Sequence, residues 1–158
     1  MATEIERKFL VTGDGWRDGV VSATRIRQGY LSRDAGVTVR VRQREGRAST
    51  VTIKGPRTGA SKPEYEWTVS DDDALGLMAL AGDRTVDKTR HEVRWDGRLW
   101  EVDVFHGRHA GLVIAELELD DEDEAVALPG WTGAEVTDDT AFYNAALAGG
   151  DDGWPRGL

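Results

Sequence analysis

At 158 residues the chain is long enough for one domain with a real core and short for two. A net charge of −9 and a pI near 4.8 argue against a general binder of nucleic acid or anionic membranes. The absence of cysteine removes disulfides, thiolate metal sites and cysteine nucleophiles.

No apolar run reaches the length of a membrane span, and no signal-peptide pattern opens the chain, so a cytoplasmic protein is the expectation. Glu4 to Val11 (EIERKFLV) reads as a strand with Glu4, Glu6 and Lys8 on one face and Ile5, Phe9 and Val11 on the other. After the break at Thr12 to Gly15, Trp16 to Val21 reads as a short helix or loop. Thr24 to Arg33 returns to strand, with Ile26, Gln28 and Tyr30 sharing a face. A turn at Asp34-Ala35-Gly36 leads into Val37 to Arg44, where Arg40, Arg42 and Arg44 alternate with valines. Glu45-Gly46 turns the chain into Ala48 to Lys54, with Thr50, Thr52 and Lys54 on one face. Lys62 to Val69 sets Glu64, Glu66 and Thr68 opposite Tyr65, Trp67 and Val69.

Ser70 and the three aspartates after it predict a capped helix with an apolar stripe of Leu75, Met78 and Leu80, ending at Gly82. Arg84 to Trp95 is strand, with Lys88, Arg90, Glu92 and Arg94 on one face, and Asp96-Gly97 is a hairpin turn. Leu99 to Phe105 carries Glu101 and Asp103 opposite Trp100, Val102 and Val104. Val113 to Asp120 carries Glu116, Glu118 and Asp120 opposite Val113, Ala115, Leu117 and Leu119. Asp121 to Ala127 predicts a short acidic helix, and Thr137 caps a last helix through Leu147. One domain over 1–148 is expected, with a loosely held tail over 149–158. His91, His106 and His109 have no ligand-like spacing and read as surface residues.

About eight strands joined mostly by hairpins imply a mainly β fold, an antiparallel barrel with a few flanking helices. If the apolar side (Val39, Val41, Ile53, Trp67, Val102, Leu117) lies under the helices, the charged side lines a hydrated channel. That side collects the cations Lys8, Arg40, Arg42, Lys54, Lys88 and Arg90. It also collects the carboxylates Glu4, Glu6, Glu64, Glu66, Asp103, Glu116 and Glu118. Mixed charges in a partly dry cavity are costly unless paired or engaged with a ligand. Guanidinium forks and lysines suit phosphate oxygens, and carboxylates without His or Cys suit Mg²⁺ or Mn²⁺ rather than Zn²⁺.

The opening Glu4-x-Glu6-x-Lys8 matches the ExExK signature of the CYTH domain, or triphosphate tunnel metalloenzyme, family. It is followed in order by Gln28-Gly29-Tyr30-Leu31, Arg40-x-Arg42, Lys54, Glu64-x-Glu66, Lys88-x-Arg90, Asp103 and Glu116-x-Glu118. The chain resembles this family over nearly all its length, and most of all its small bacterial inorganic triphosphatases. The resemblance implies a closed eight-stranded antiparallel tunnel that binds triphosphate compounds with Mg²⁺ or Mn²⁺. It implies a triphosphate clamp of Arg40, Arg42, Lys54, Lys88 and Arg90. Glu4, Glu6, Glu116 and Glu118 are the first metal ligands in this reading, with Asp103 and Glu66 next, and Glu64 equally suited to holding an arginine. Lys8 either forms a structural ion pair or acts with Tyr30 in proton transfer or water placement. A small-molecule partner and a homodimer are compatible with this reading. The alternatives are adenylate cyclase of the CYTH type, thiamine triphosphatase, or a polyphosphate- or nucleotide-binding module without turnover.

Overall fold

A computed structural model describes residues 2–32, 36–59 and 61–149. Its strands are β1 (Ala2–Val11), β2 (Val20–Ser32), β3 (Thr38–Arg44), β4 (Ser49–Lys54), β5 (Ser61–Val69), β6 (Thr85–Trp95), β7 (Arg98–Phe105), β8 (Val113–Glu118) and β9 (Thr132–Glu135). The α-helices are α1 (Asp71–Ala81) and α2 (Asn144–Gly149). The sheet order is β5-β4-β3-β2-β6-β7-β8-β1-β9, and β5 pairs back onto β1. Eight antiparallel strands therefore close into a barrel, and β9 is added along the far half of β1. Closure satisfies the edges that an open sheet of this size would expose.

Local chemistry sets the hairpins. Asp96 and Gly97, with φ of 51° and 73°, form the two-residue turn between β6 and β7, as the Asp-Gly pair predicts. Strand alternation does the rest: Glu4, Glu6 and Lys8 face inward, while Phe9 joins an outer core of Trp16, Val93, Trp100, Val102, Ala115, Leu117 and Trp131.

Helix α1 starts where expected, with the Ser70 hydroxyl accepting from the Asp73 N–H at 3.1 Å, and ends at Gly82 with φ 65°. Its buried face differs from the expected stripe. Ala74, Met78 and Ala81 are buried, whereas Leu75 and Leu80 are 61% and 72% exposed. The cause is on β2: a Cβ on Gly29 would stand 2.7 Å from the Ala81 Cβ and 2.9 Å from the Met78 sulfur. The helix comes down so close that only small side chains and a flexible thioether fit beneath it. It covers Val41 but leaves Trp67 on β5 exposed, contrary to the expectation that Trp67 is helix-covered.

Asp121 to Ala127 forms a bend and a turn over 121–123 and then irregular chain instead of a helix. Asp121 and Glu124 accept from the Asp123 and Asp120 N–H groups, and such local side-chain bonds compete with helix formation. Thr137 caps no helix. Its hydroxyl accepts from the Lys8 N–H at 3.0 Å and donates to Glu135 at 2.6 Å, fastening the chain after β9 to β1. The last helix begins only at Asn144, after a 3₁₀ turn at Thr140–Phe142 capped by Asp139. Strand β9 adds to the strands expected from the pattern, since the four residues Thr-Gly-Ala-Glu are too few to show a period. His109 is not a surface residue: it is 1% exposed, and its Nε2 lies 2.7 Å from the Leu147 carbonyl. The expected loose tail falls, except for Gly149, outside the described residues, as do Arg33 to Ala35 of the β2–β3 connection.

The lumen is divided. Following the inward face along each strand, Lys8 gives way to Leu10, Lys88 to Val86, Asp103 to Phe105 and Glu116 to Ile114. These apolar residues, with Tyr30 and Leu112, are covered by Phe142, Leu147 and Ala148. One end of the barrel is thus a packed core stoppered by α2, and only the remainder is charged. Among the described residues, no helix is long and apolar enough to cross a membrane.

Candidate functional site

A chamber of about 150 Å³ lies in the charged part of the lumen. Of the residues singled out from sequence, Glu4, Glu6, Lys8, Tyr30, Arg40, Arg42, Lys54, Glu66, Lys88, Arg90 and Glu116 line it. Asp103 and Glu118 do not. Asp103 is buried behind the wall, and Glu118 is exposed at the barrel rim, two residues beyond Glu116 on β8. Glu64, also placed on the lumen face from sequence, lines it too, and Lys62, Glu101, Tyr143 and Asn144, with Thr38, Thr52 and Ala145, complete the lining. The chamber reaches solvent past Glu66 and Glu101, whose side chains are 39% and 37% exposed.

Register explains the assembly. Gln28 stands opposite Arg42, Tyr30 opposite Arg40, Arg40 opposite Thr52 and Thr52 opposite Glu66. Across the closing seam Glu4 stands opposite Lys62, and on the other side of β1 Lys8 stands opposite Glu116. Directly paired positions share a face, so residues far apart in sequence converge on one cavity.

Most charges in the wall are paired. Lys54 donates to Glu4 at 2.7 Å, and Lys8 lies 3.5 Å from Glu116. Asp103 is a hub: both oxygens accept from Arg90, at 2.8 and 2.9 Å, and Lys88 sits 2.7 Å away. Burial raises the Asp103 pKa, but Arg90 and Lys88 outweigh it and hold the carboxyl down at about 2. Burial also works against the Lys8 ammonium, yet Glu116 and Glu6 keep its pKa above the usual lysine value. Glu116 is held well below the carboxylate range against the effect of burial, by Lys8, Arg90 and Lys88.

Three groups stand apart. Arg42 has no carboxylate partner among the described residues and gives its Nε–H to Gln28 Oε1 at 2.9 Å. Burial first, then the charges of Arg40 and Arg90, lower its pKa to about 9. The Arg40 Nε is buried without a hydrogen-bond partner. Glu6 is pushed up to about 8 by burial and by the neighbouring charges of Glu116 and Glu4. The site therefore contains unneutralised positive charge around Arg42 and excess carboxylate around Glu6.

Tyr30 accepts a hydrogen bond from Gln28 Nε2 at 2.7 Å. No hydrogen bond joins it to Lys8; the Lys8 ammonium lies 5.0 Å from the Tyr143 ring centroid. Lys88 donates to Asn144 Oδ1 at 2.9 Å, tying the first residue of α2 to the chamber floor. Glu101 shares the Asp103 face that alternation already identifies, and Lys62 lies two residues before Glu64 on an inward face, so the same period reaches it. Tyr143 precedes α2 and Asn144 opens it, so neither lies in a strand whose period would mark it as facing the lumen.

The CYTH domain model matches residues 2–143. The chain is similar to an inorganic triphosphatase of Acetivibrio thermocellus, 38% identical over 148 residues that span 93% of this chain and 94% of that one. It is 40% identical over 150 residues to an inorganic triphosphatase of Nitrosomonas europaea, spanning 92% and 97% of the two chains. The solved structure of the inorganic triphosphatase NE1496 superposes with a TM-score of 0.70 at 38% identity, covering 92% of this chain and 97% of that one. With its barrel, its inward charges and these relatives spanning most of its length, the chain belongs to the CYTH domain family.

Proposed function

We propose that the protein hydrolyses inorganic triphosphate in the barrel chamber, water and triphosphate giving diphosphate and phosphate. The observation that carries this reading is the Arg42 cluster, a half-buried guanidinium without a carboxylate partner among the described residues, crowded by Arg40 and Arg90. Such an arrangement is costly by itself and is relieved by an oxyanion with several oxygens to share. The two relatives named inorganic triphosphatase support the same reading.

Arg40, Arg42 and Arg90 offer planar forks to the equatorial phosphoryl oxygens, while Lys54 and Lys88 add point charge. Because they are already fixed by Thr52, Gln28 and Asp103, little reorganisation is required when charge develops as the P–O bond breaks. Lys8 and Tyr30 face the chamber from β1 and β2, and we assign to them the placement of the attacking water and transfer of its proton. Gln28 and Glu116 hold the two side chains in place.

Among the described residues, no three acidic or histidine side chains stand in ligand geometry. Glu4 is drawn to Lys54, and Glu116 to Lys8 and Arg90. In kind, however, the donors fit a hard divalent cation. Glu4, Glu6 and Glu116 supply only carboxylate oxygens, and the raised Glu6 pKa marks a place where added positive charge is favourable. These three residues would hold Mg²⁺ or Mn²⁺, which when bound would polarise phosphoryl oxygens and offset their charge. Asp103 is better described as the anchor of Lys88 and Arg90, and Glu66 as that of Thr52 and Arg40. Glu118 at the rim is assigned no ligand role.

The deciding assay is product release from triphosphate, ATP, thiamine triphosphate and a longer polyphosphate, with Mg²⁺ and Mn²⁺ compared. Phosphate release fastest from triphosphate supports the reading. Cyclic AMP from ATP would assign the protein to cyclase chemistry, and tight binding without turnover would make it a binding module.

A further inference from the structure

Among the lysines and arginines lining the chamber, Lys62 alone has neither a carboxylate within ion-pair distance nor a hydrogen bond among the described residues. Its register partner is Glu4, but that carboxylate is occupied by Lys54 at 2.7 Å. The Lys62 ammonium lies instead 4.3 Å from the Tyr143 ring centroid. That ring is itself fixed, because the Tyr143 hydroxyl donates to the Thr137 carbonyl at 3.0 Å and the Arg57 guanidinium, paired with Asp138, lies 5.6 Å from its centroid. Lys62 also borders a second recess of about 350 Å³ on the far side of Tyr143, so it stands at the partition between the two spaces.

We propose that Lys62 is a further substrate-binding residue, parked on Tyr143 and transferred to the phosphate that lodges at the α2 end of the chamber. The proposal rests on the triphosphatase reading above. A ring face holds an ammonium loosely, whereas a phosphate oxygen offers a charge-assisted hydrogen bond to the same group. The flexible four-carbon stem of lysine allows the exchange without movement of β5. Burial first, then Lys54, lower the Lys62 pKa, and an arriving anion reverses that effect. Parking on Tyr143 also keeps the Lys62 ammonium from pairing with Glu4 and Glu6, so of the two only Glu4 carries a lysine, Lys54.

The test combines titration calorimetry of tripolyphosphate in chelator, where turnover does not interfere, with steady-state kinetics under Mg²⁺. Lys62→Met is expected to weaken binding by about tenfold or more and to raise KM correspondingly, with kcat changed by less than about threefold. Lys62→Arg restores affinity to within about threefold, which a purely ring-packing role would not require. Thermal unfolding confirms that both variants fold; if Lys62→Met does not, Lys62→Gln is titrated against the same thresholds. Affinity and KM within about twofold of wild type overturn the proposal. A wild type that binds tripolyphosphate without releasing phosphate removes the hydrolysis reading, while the titration still decides Lys62. A wild type that neither binds nor hydrolyses it overturns both.

Discussion

Arg42 and Lys88 face the same chamber, yet an anion does different work for each. Burial, with Arg40 and Arg90, lowers the Arg42 pKa only to about 9, so at neutral pH it stays charged and acts as a preorganised donor. Arg42→Ala should lower kcat/KM for triphosphate by about 10²–10³-fold, the loss expected for one such donor, while thermal unfolding moves little; an activity assay on purified protein checks this. Lys88 is completely buried, and burial, with Arg90 and Arg42, lowers its pKa to about 7 against the pull of Asp103. Below that value the ammonium is present for phosphate, and above it the neutral amine prevails in the free protein. KM for triphosphate should therefore rise as pH increases from about 6 to 9. Lys88→Arg, charged throughout, should flatten that dependence, and an unchanged slope in the variant would remove Lys88 as its origin. The charged residues were legible because alternation places them on one face and the charge of that face is unusual. Tyr143 and Asn144 were not, since they reach the chamber through Arg57, Thr137 and Lys88, contacts that span from 6 to 80 positions in sequence.

At the scale of elements, the largest discrepancy between pattern and structure lies in α1. Leu75 and Leu80 are, with Leu77 and Met78, its large apolar side chains, and a helical stripe drawn through Leu75 and Leu80 points the wrong face at the barrel. The face actually buried is set from the other side of the contact, by Gly29 of β2. Gly29→Ala would force its Cβ within 2.7 Å of Ala81, so α1 must lift or β2 must shift. The expected cost is about 1–3 kcal/mol, read by urea unfolding, with the Lys88–Asp103–Arg90 hub left intact. Leu75→Glu or Leu80→Glu should change stability by less than about 0.5 kcal/mol, because both side chains already face water. The acidic run from Asp121 shows the opposite limit of sequence reading: helix propensity was read where short side chains bond their own backbone instead. The barrel strands were easier, because a period of two repeated over many segments admits few other folds.

At the scale of the molecule, the barrel is a chamber with one stopper, and this shapes which triphosphates it should accept. Periodicity made the charged face visible but not its extent, because Leu10, Val86, Phe105 and Ile114 continue the same inward alternation and change only its chemistry. Those residues, packed against α2, close one end, while Lys62 and Tyr143 separate the chamber from the neighbouring recess. A triphosphate therefore enters past Glu66 and Glu101, and any organic group it carries remains at that acidic rim. The chamber lining provides no aromatic platform there for a base and no buried amide to read one. Carboxylates at the rim also repel the phosphate attached to such a group until it has passed. Inorganic triphosphate passes the same rim but leaves no group or phosphate beside those carboxylates, and it can engage every cation in the wall. kcat/KM for triphosphate should accordingly exceed that for ATP by about 10²-fold or more, equivalent to about 3 kcal/mol of transition-state discrimination. Competition between the two substrates in one assay measures the ratio directly. Equal use of ATP would mean that the rim binds the nucleoside, and Glu66→Gln or Glu101→Gln would then be expected to change its KM without altering that for triphosphate.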